Sequence, residues 1–336
     1  MVNSVSDKMP LVTVIIPNYN HAPYLRQRID SVLTQTFQDI EVILLDDCSK
    51  DDSREIIKSY EADPRITIVF NEQNSGCVFR QWNKGLSMAK GKYIWIAESD
   101  DYSDPKFLET LVARLEGDPN IGLTFCDSFR VCNGEITTAR ERWYGGFSEH
   151  YNEDFKALGK EFVAEQMLFV NMIPNASAVL FRRSVAEAAG PADESFRLSG
   201  DWLFWIKLLQ RSDLAYIATP LNYYRYHEQT ARHANTGTGV TIEDAYRIAS
   251  YVLANFSISR ETFLDIRERL TCWYVEVIIS GNEKIPKTRL KNIRRLASSI
   301  NPNTFYRLWY RRLYLQWLWL GVRRRLLMIW KMRIAG

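Results

Sequence analysis

The densest concentration of reactive side chains is Glu98-Ser99-Asp100-Asp101, three carboxylates in four residues directly after the apolar run Tyr93–Ala97. Like charges at this spacing repel unless a proton or a cation relieves them. Carboxylate oxygens suit hard divalent ions such as Mg²⁺ or Mn²⁺, which are commonly shared with substrate phosphates. Metal or nucleotide contact is therefore the reading for Asp100 and Asp101. The competing reading, acids gathered at a helix start, suits Asp104, which stands before Pro105. A second pair, Asp46-Asp47, ends the apolar run Ile40–Leu45. An acid in such a place can accept hydrogen bonds from a ribose or a base. Ser49 and Asp51 just beyond read as caps of the next helix. Neither GxGxxG after the first strand-like run nor GxxxxGK[ST] occurs, so the dinucleotide fingerprint and the P-loop are both excluded.

These carboxylates need a scaffold, and its pattern is regular. Leu11–Pro17 is β-branched and ends at proline, and Leu25, Ile29, Val32 and Leu33 then recur at helical spacing within Tyr24–Thr36. Ile40–Leu45 predicts a second strand, Asp51–Tyr60 a helix, Ile66–Phe70 a third strand, Val78–Ala89 a helix and Tyr93–Ala97 a fourth strand. Strands alternating with helices require crossover connections, hence a parallel sheet with helices on both faces. Ligands of such sheets sit beyond the carboxyl ends of the strands, where Asn18-Tyr19-Asn20, Asp46-Asp47 and Glu98–Asp101 all fall. Further on, Ile121–Ile136 predicts two strands and Trp143–Tyr151 an aromatic loop. Phe155–Met172 and Trp202–Gln210 predict helices, and Ser177–Phe181 and Leu221–His227 strands. From Val240 the pattern turns helical, which divides the chain into a domain of residues 1–239 and a helical C-terminal region of residues 240–336.

The chain has 336 residues with 46% apolar and 13% aromatic side chains, a composition that excludes disorder. Its net charge of +3 hides an asymmetry: residues 301–336 hold eight Lys and Arg and no acid, leaving 35 basic against 40 acidic side chains elsewhere. The five cysteines form no CxxC pair and there is no histidine cluster in the sequence for a zinc site, so reduced thiols are expected. Residues 1–10 are polar and lead straight into a strand, so no cleaved signal peptide is expected. In the tail, Arg311-Arg312 and Arg323–Arg325 bracket LYLQWLWLGV, and four of the ten tryptophans lie there. That apolar stretch is about half the ~20 residues a spanning helix needs. A cationic helix with Trp and Leu on its other face suits an anionic membrane surface. A helix packed on a partner, such as a homodimer, ranks second, and nucleic acid last, since no nucleic-acid motif accompanies the arginines.

Taken in order, PNYN (Pro17–Asn20), LLDDCSKD (Leu44–Asp51), NSGCVFRQWNKGL (Asn74–Leu86), AKGKYIWIAESDD (Ala89–Asp101) and SGDWLFW (Ser199–Trp205) resemble glycosyltransferase family 2 across about residues 10–230. The resemblance implies a GT-A fold, that is, a Rossmann-like α/β domain with a mostly parallel sheet and flanking helices. It implies sugar transfer with inversion from a nucleotide-sugar, UDP-sugar favoured, to a saccharide or lipid-linked glycan hydroxyl, with Mn²⁺ or Mg²⁺ bound. Carried over residue by residue, it implies that Pro17, Tyr19 and Asp47 contact the nucleoside and that Arg80 lies near the base or phosphates. Asp100 resembles the nucleotide-side carboxylate of the metal motif, with Asp100, Asp101 and His227 as metal ligands. Glu98 stands where many members have an aspartate. Asp201 resembles the catalytic base, which a sugar hydroxyl requires because it is a poor nucleophile. From the residues alone, Asp201 reads as a helix cap before Trp202–Leu209 and His227 as a strand-end residue.

Gly76 reads as turn geometry, Asn83 as a turn cap, and Asn175 and Ser177 as acceptor-border or turn residues. His21 reads as a loop residue, and His150 and His233 as members of acceptor loops. The tail adds an expectation of bacterial surface-glycan assembly at the cytoplasmic membrane face, with the protein peripheral. Two alternatives belong to other classes. A non-catalytic membrane-associated nucleotide-sugar or glycan binder is disfavoured by the intact Asp47, Asp100, Asp101 and Asp201 set. A nucleotidyltransferase would want a glycine-rich basic loop where Pro17–His21 stands.

Overall fold

The computed structural model describes residues 9–138, 149–173, 175–227, 235, 237–279 and 285–303. Packing divides the chain into two compact units, residues 1–234 and 235–336.

The first unit is built on one sheet. Parallel strands β1 (Val12–Asn18), β2 (Ile40–Asp46), β3 (Ile66–Phe70) and β4 (Tyr93–Ile96) lie in the order β3-β2-β1-β4. The sheet continues through β9 (Val179–Arg182), β6 (Ile121–Cys132) and β10 (Asp213–Tyr226) to β5 (Tyr102–Ser103), with β7 (Glu135–Thr138) on β6 and β8 (Phe155–Ala157) on β10. The first half is wholly parallel, and the second mixes directions: β9 runs antiparallel to both β4 and β6, while β6 and β10 are parallel. Every residue of β1 and β4 is buried, which explains why both read as near-continuous apolar runs.

Helices cover both faces. Val12, Val14 and Ile16 share a core with Leu25, Ile29 and Val32 of α1 (Ala22–Leu33), Ile57 of α2 (Ser53–Lys58) and Phe107, Leu111 and Leu115 of α4 (Phe107–Gly117). On the other face Ile15 meets α3 (Val78–Met88) at Gly85. Also in this unit are α5 (Gly159–Gln166), α6 (Arg183–Ala189) and α7 (Gly200–Leu209). His21 at the N-cap of α1 makes no side-chain cap bond, and Asp51 accepts from the Ala22 N–H in its place. A cap contributes about 1 kcal/mol and a fully buried aliphatic side chain about 1.5–3 kcal/mol, so Leu25, Ile29 and Val32 hold α1 and leave the His21 ring for other work.

Two sequence expectations change. Phe155–Met172 is not one helix: Phe155–Ala157 pair with Tyr216–Leu214 of β10, and the helix begins at Gly159. A Cβ at Gly159 would lie 2.0 and 2.3 Å from the Ser212 and Leu209 carbonyl oxygens, so the start of that helix presses on the end of α7. Ile121–Ile136 holds the two strands expected there, β6 and the start of β7, joined by a hairpin turned at Asn133 and Gly134, both at positive φ (51° and 83°). The strand read as Leu221–His227 is the last part of a fourteen-residue β10 whose register shifts around Pro220. The loop Trp143–Tyr151 lies outside the described residues up to 148.

The second unit contains α8 (Val240–Asn255), α9 (Arg260–Ile279) and α10 (Lys287–Ile300). α10 packs Ile293, Ala297 and Ile300 inward, and Arg289 reaches Glu243 of α8 at 2.9 Å. The basic tail lies outside the described residues from 304 onward. Among the described residues no helix is long and apolar enough to cross a membrane.

Gly200 opens α7 against α3, where an added Cβ would lie 2.5 and 2.6 Å from the Phe79 ring and 3.0 Å from Phe196 Cβ. Phe79 is buried and packs edge-on to Trp82 at 5.2 Å, so it has little room to yield. Gly200→Ala is expected to lower unfolding free energy by about 1–3 kcal/mol in urea titration.

Candidate active site

Strand ends β1, β2 and β4 open into a cleft of about 1210 Å³. Two of these ends turn sharply in left-handed conformations, Asn20 at φ 55° and Cys48 at φ 64°. The first corner is tied together by Asn20, whose N–H donates to Ser49 Oγ and whose Oδ1 accepts from Lys50 N–H. Asp51 accepts from Ala22 N–H and Ser53 N–H, in keeping with its cap reading. Asp46 is fully buried and accepts from Asn18, Ser49 N–H and Arg54, so it clasps β1 to β2 rather than facing ligand.

Of the site residues drawn from the sequence, Pro17, Tyr19, Asp47, Asp100, Asp101 and Asp201 line this cleft. Pro17 is buried and Tyr19 is 41% exposed, a rigid floor with an aromatic edge beside it. The oxygens of Asp47 are heavily engaged: they accept from Asn71, from Ser75 N–H and Oγ, and from Gln81. Its part in the cleft is to fix the turn at Asn74–Gly76, where Gly76 has φ 67° and donates its N–H to Asn74 Oδ1 at 2.7 Å. Arg80 is not part of the lining. It pairs with Glu194 at 3.2 Å and donates to the Ser75 carbonyl, while Arg197 lines the cleft and donates to the Gly76 carbonyl. Asn83 pins the Ala192–Arg197 segment, a strap beside the cleft, by bonding Ala192 and Glu194.

The carboxylates after β4 take three different roles. Asp101 is buried and turns toward protein, accepting from Asn175 Nδ2 at 3.0 Å and Arg225 N–H at 2.9 Å. Asp100 meets His227 Nε2 at 3.1 Å, and Arg225 donates to its carbonyl. Arg225 itself lies over the rings of Tyr24 and Tyr102 and bonds Gln27, so it braces the loop from within. Glu98 accepts the Trp82 indole N–H at 2.9 Å. The metal group anticipated as Asp100, Asp101 and His227 is therefore composed differently in space. His21, Asp100 and His227 bring ligand atoms within 4.8 Å of one another, and Asp101 is not among them. His21 Nδ1 is held by Ser99 Oγ at 2.8 Å, and the His227 ring lies 5.0 Å from that of Tyr24.

Beneath them lies Arg28 of α1, wholly buried, its Nε donating to the Glu98 carbonyl at 2.8 Å and its guanidinium 5.5 Å from the Trp95 ring. Burial draws its pKa down to about 10, and the charges of Asp101, Asp100 and Glu98 oppose that fall. Burial, then the charge of Asp100, pushes Glu98 up to about 8 and raises Asp101 as well. Burial also works against the ionised form of Asp100, but the hydrogen bond from His227 and the charge of the nearby imidazoles hold it below its usual range. Burial, with His227 beside it, lowers His21, which favours the neutral, metal-binding imidazole.

Across the cleft, α7 carries Asp201 in its first turn, with Asn171 Nδ2 at 3.2 Å from Oδ2. Ser199, not Asp201, occupies the N-cap position, so the capping interpretation gives way to a carboxylate facing the cleft. Trp205 packs on Trp82 at 5.8 Å, fixing α7 to the wall that holds the 74–76 turn. Reading the sequence missed two residues of this site, His21 and Arg28. The signals were present: His21 follows a strand end, and Arg28 stands on the apolar stripe Leu25, Ile29, Val32 of α1.

Residues 13–186 match the sequence pattern of glycosyl transferase family 2. An uncharacterized protein of Mycobacterium tuberculosis, MT1568, is 28% identical over 86% of this chain and 90% of its own length. The glycosyltransferase GlyG of Streptococcus pneumoniae is 38% identical over 32% of this chain, a match that spans only 35% of GlyG. Among solved structures, residues 1–349 of Staphylococcus aureus TarS with UDP-GlcNAc superpose with a TM-score of 0.63 at 16% identity, covering 90% of this chain and 91% of that one. At that identity the likeness establishes the fold, a GT-A sheet with flanking helices.

Folding raises the Glu98 pKa from 4.5 to about 8, so the native state keeps a proton that the unfolded chain releases. The resulting stabilisation is full below about pH 4.5 and is lost as pH climbs through about 8, and the raised Asp101 acts in the same direction. The metal-free protein is expected to lose unfolding free energy between about pH 5 and 8. Glu98→Gln, which still accepts from Trp82 but cannot ionise, should flatten that loss. Urea titrations of both proteins across this range check it, and equal pH slopes would refute it.

Proposed function

The chain belongs to glycosyl transferase family 2, and on that premise we propose that it is an inverting, divalent-cation-dependent glycosyltransferase. It moves a sugar from a nucleotide donor, with UDP-sugar the favoured class, to a hydroxyl of a saccharide or lipid-linked glycan. One observation carries the reading: Asp100 and His21, whose ligand atoms meet that of His227, line the same cleft as Asp201 on α7.

The donor atoms fit the expected ion. One carboxylate and two imidazoles suit Mn²⁺ at least as well as Mg²⁺, and His227 Nδ1 is buried without a hydrogen-bond partner among the described residues. When bound at His21, Asp100 and His227, a divalent cation supplies positive charge against the leaving diphosphate. The protein's own groups do the rest. Pro17 and Tyr19 wall the nucleoside side, and Asp47 holds the 74–76 turn beside it. Asp201 takes the proton of the attacking hydroxyl, a role that typically contributes about 10²–10⁴ in rate. Direct attack displaces the nucleotide from the far side of the anomeric carbon, so the product is inverted and no covalent sugar-protein intermediate forms. The basic, tryptophan-rich residues 304–336 support a peripheral site of action at the cytoplasmic membrane face, in surface-glycan assembly.

The test is a panel of UDP-, GDP- and dTDP-sugars, measured for binding and slow hydrolysis with and without Mn²⁺. Asp201→Asn is expected to keep donor binding and lose at least about 100-fold in turnover. His21→Ala and Asp100→Asn should each weaken Mn²⁺ binding by about tenfold or more, read by the Mn²⁺ electron paramagnetic resonance signal. Absence of binding to every nucleotide, with or without metal, would overturn the reading in favour of a non-catalytic role.

A further inference from the structure

The second unit carries a charge arrangement that sugar transfer does not use. Within α10, Ile293, Ala297 and Ile300 form the buried stripe. Lys287, Lys291 and Arg295 are exposed and recur at helical spacing on the side of the helix turned away from that stripe, and Arg294, exposed as well, flanks them beside Tyr274 of α9. Arg289 is the exception that defines the face: it is partly buried and paired with Glu243, and Asn292 also reaches Glu243. No carboxylate among the described residues pairs with the other four. From residue 285 to 336 the chain has thirteen Lys and Arg and no Asp or Glu, whereas the first 300 residues carry an excess of acid. A solvated surface helix ordinarily mixes both signs, because interspersed acids limit self-repulsion.

We infer that this face of α10 is a docking surface for a bilayer rich in anionic lipid. The inference rests on the membrane-face reading above and adds to it a folded, basic surface with named residues. A bilayer is favoured over nucleic acid because the chain that continues past α10 joins its arginines to four tryptophans and many leucines, a composition that suits the headgroup boundary. Three basic side chains on one face, flanked by Arg294, lie together against a flat anionic surface, and juxtamembrane basic clusters are attracted in this way within about a Debye length.

The experiment uses the full chain in flotation with vesicles of phosphatidylglycerol and phosphatidylcholine, against vesicles of phosphatidylcholine alone. The parent protein is expected to float only with the anionic vesicles and to be released by salt. The full-length variant Lys287→Gln, Lys291→Gln, Arg294→Gln, Arg295→Gln should bind at least about tenfold more weakly, with circular dichroism and donor hydrolysis unchanged. The double variant Lys291→Gln, Arg295→Gln, expected to lose about threefold, reads the same face with a smaller perturbation. A second full-length variant, Arg323→Gln, Arg324→Gln, Arg325→Gln, separates the tail from the helix. Unaltered binding of both α10 variants beside a loss in the tail variant would overturn the α10 surface and leave the membrane reading standing. Equal flotation with neutral vesicles would overturn the α10 surface and leave the membrane reading standing, whereas no flotation of the parent protein, or its release from anionic vesicles by equimolar duplex DNA, would overturn both.

Discussion

Three carboxylates in four residues at the end of a buried strand are the constraint around which the first unit is arranged. Nothing in the local chain relieves their repulsion, so relief comes from elsewhere. Arg28 brings a cation up from α1 beneath the cluster, and Arg225 brings a second from β10. An isolated buried guanidinium costs several kcal/mol, as does an isolated buried carboxylate. Held together under a polar cleft, each lowers the cost of the other. This explains why α1 must pack tightly and why β10 must extend so far past the Pro220 irregularity: the loop after β4 needs both.

The same arrangement divides labour among acids that the sequence presents as equals. Asp46 and Asp51 hold strand ends and helix starts. Asp47 spends its oxygens on the 74–76 turn. Asp101 is turned to Asn175 and the β10 backbone, and Glu98 to Trp82. Asp100 alone of the β4 cluster meets imidazoles, and Asp201 faces it from a separate helix. Division of this kind gives each acid a setting of its own, so that burial and hydrogen bonding hold chemically equal carboxylates in different states.

The wall between these two sides is apolar and stiff. Phe79, Trp82, Phe204 and Trp205 interlock, and Gly200 lets α7 lie flush on them. Above this wall the Ala192–Arg197 strap is pinned to α3 and to the 74–76 turn through Asn83, Arg80 and Arg197. The position of Asp201 is thus tied to the 74–76 turn by packed side chains, and the cleft is preorganised by packing rather than by the acids themselves.

Sequence periodicity was sufficient for β1 through β4 and the helices between them, because those strands are buried on both faces and each helix lays one apolar stripe on the sheet. It also located the strand ends and so the cleft, since a parallel sheet offers its ligands one edge. It was insufficient where long-range pairing outweighs local preference: Phe155–Ala157 joins β10 instead of a helix, and β9 enters the sheet antiparallel from far along the chain. The candidate site divides in the same way. Pro17, Tyr19, Asp47, Asp100 and Asp201 were legible because strand ends and the ordered motifs mark them. That His21 rather than Asp101 joins Asp100 and His227, that Arg80 is held by Glu194, and that Arg28 lies below the cluster depend on where side chains 70 to 200 residues apart in sequence come together. Composition and spacing fix which chemistry is available; only the packed tertiary structure decides which oxygen is already engaged and which is left facing the cleft, because burial and hydrogen bonding are properties of neighbours, not of residues.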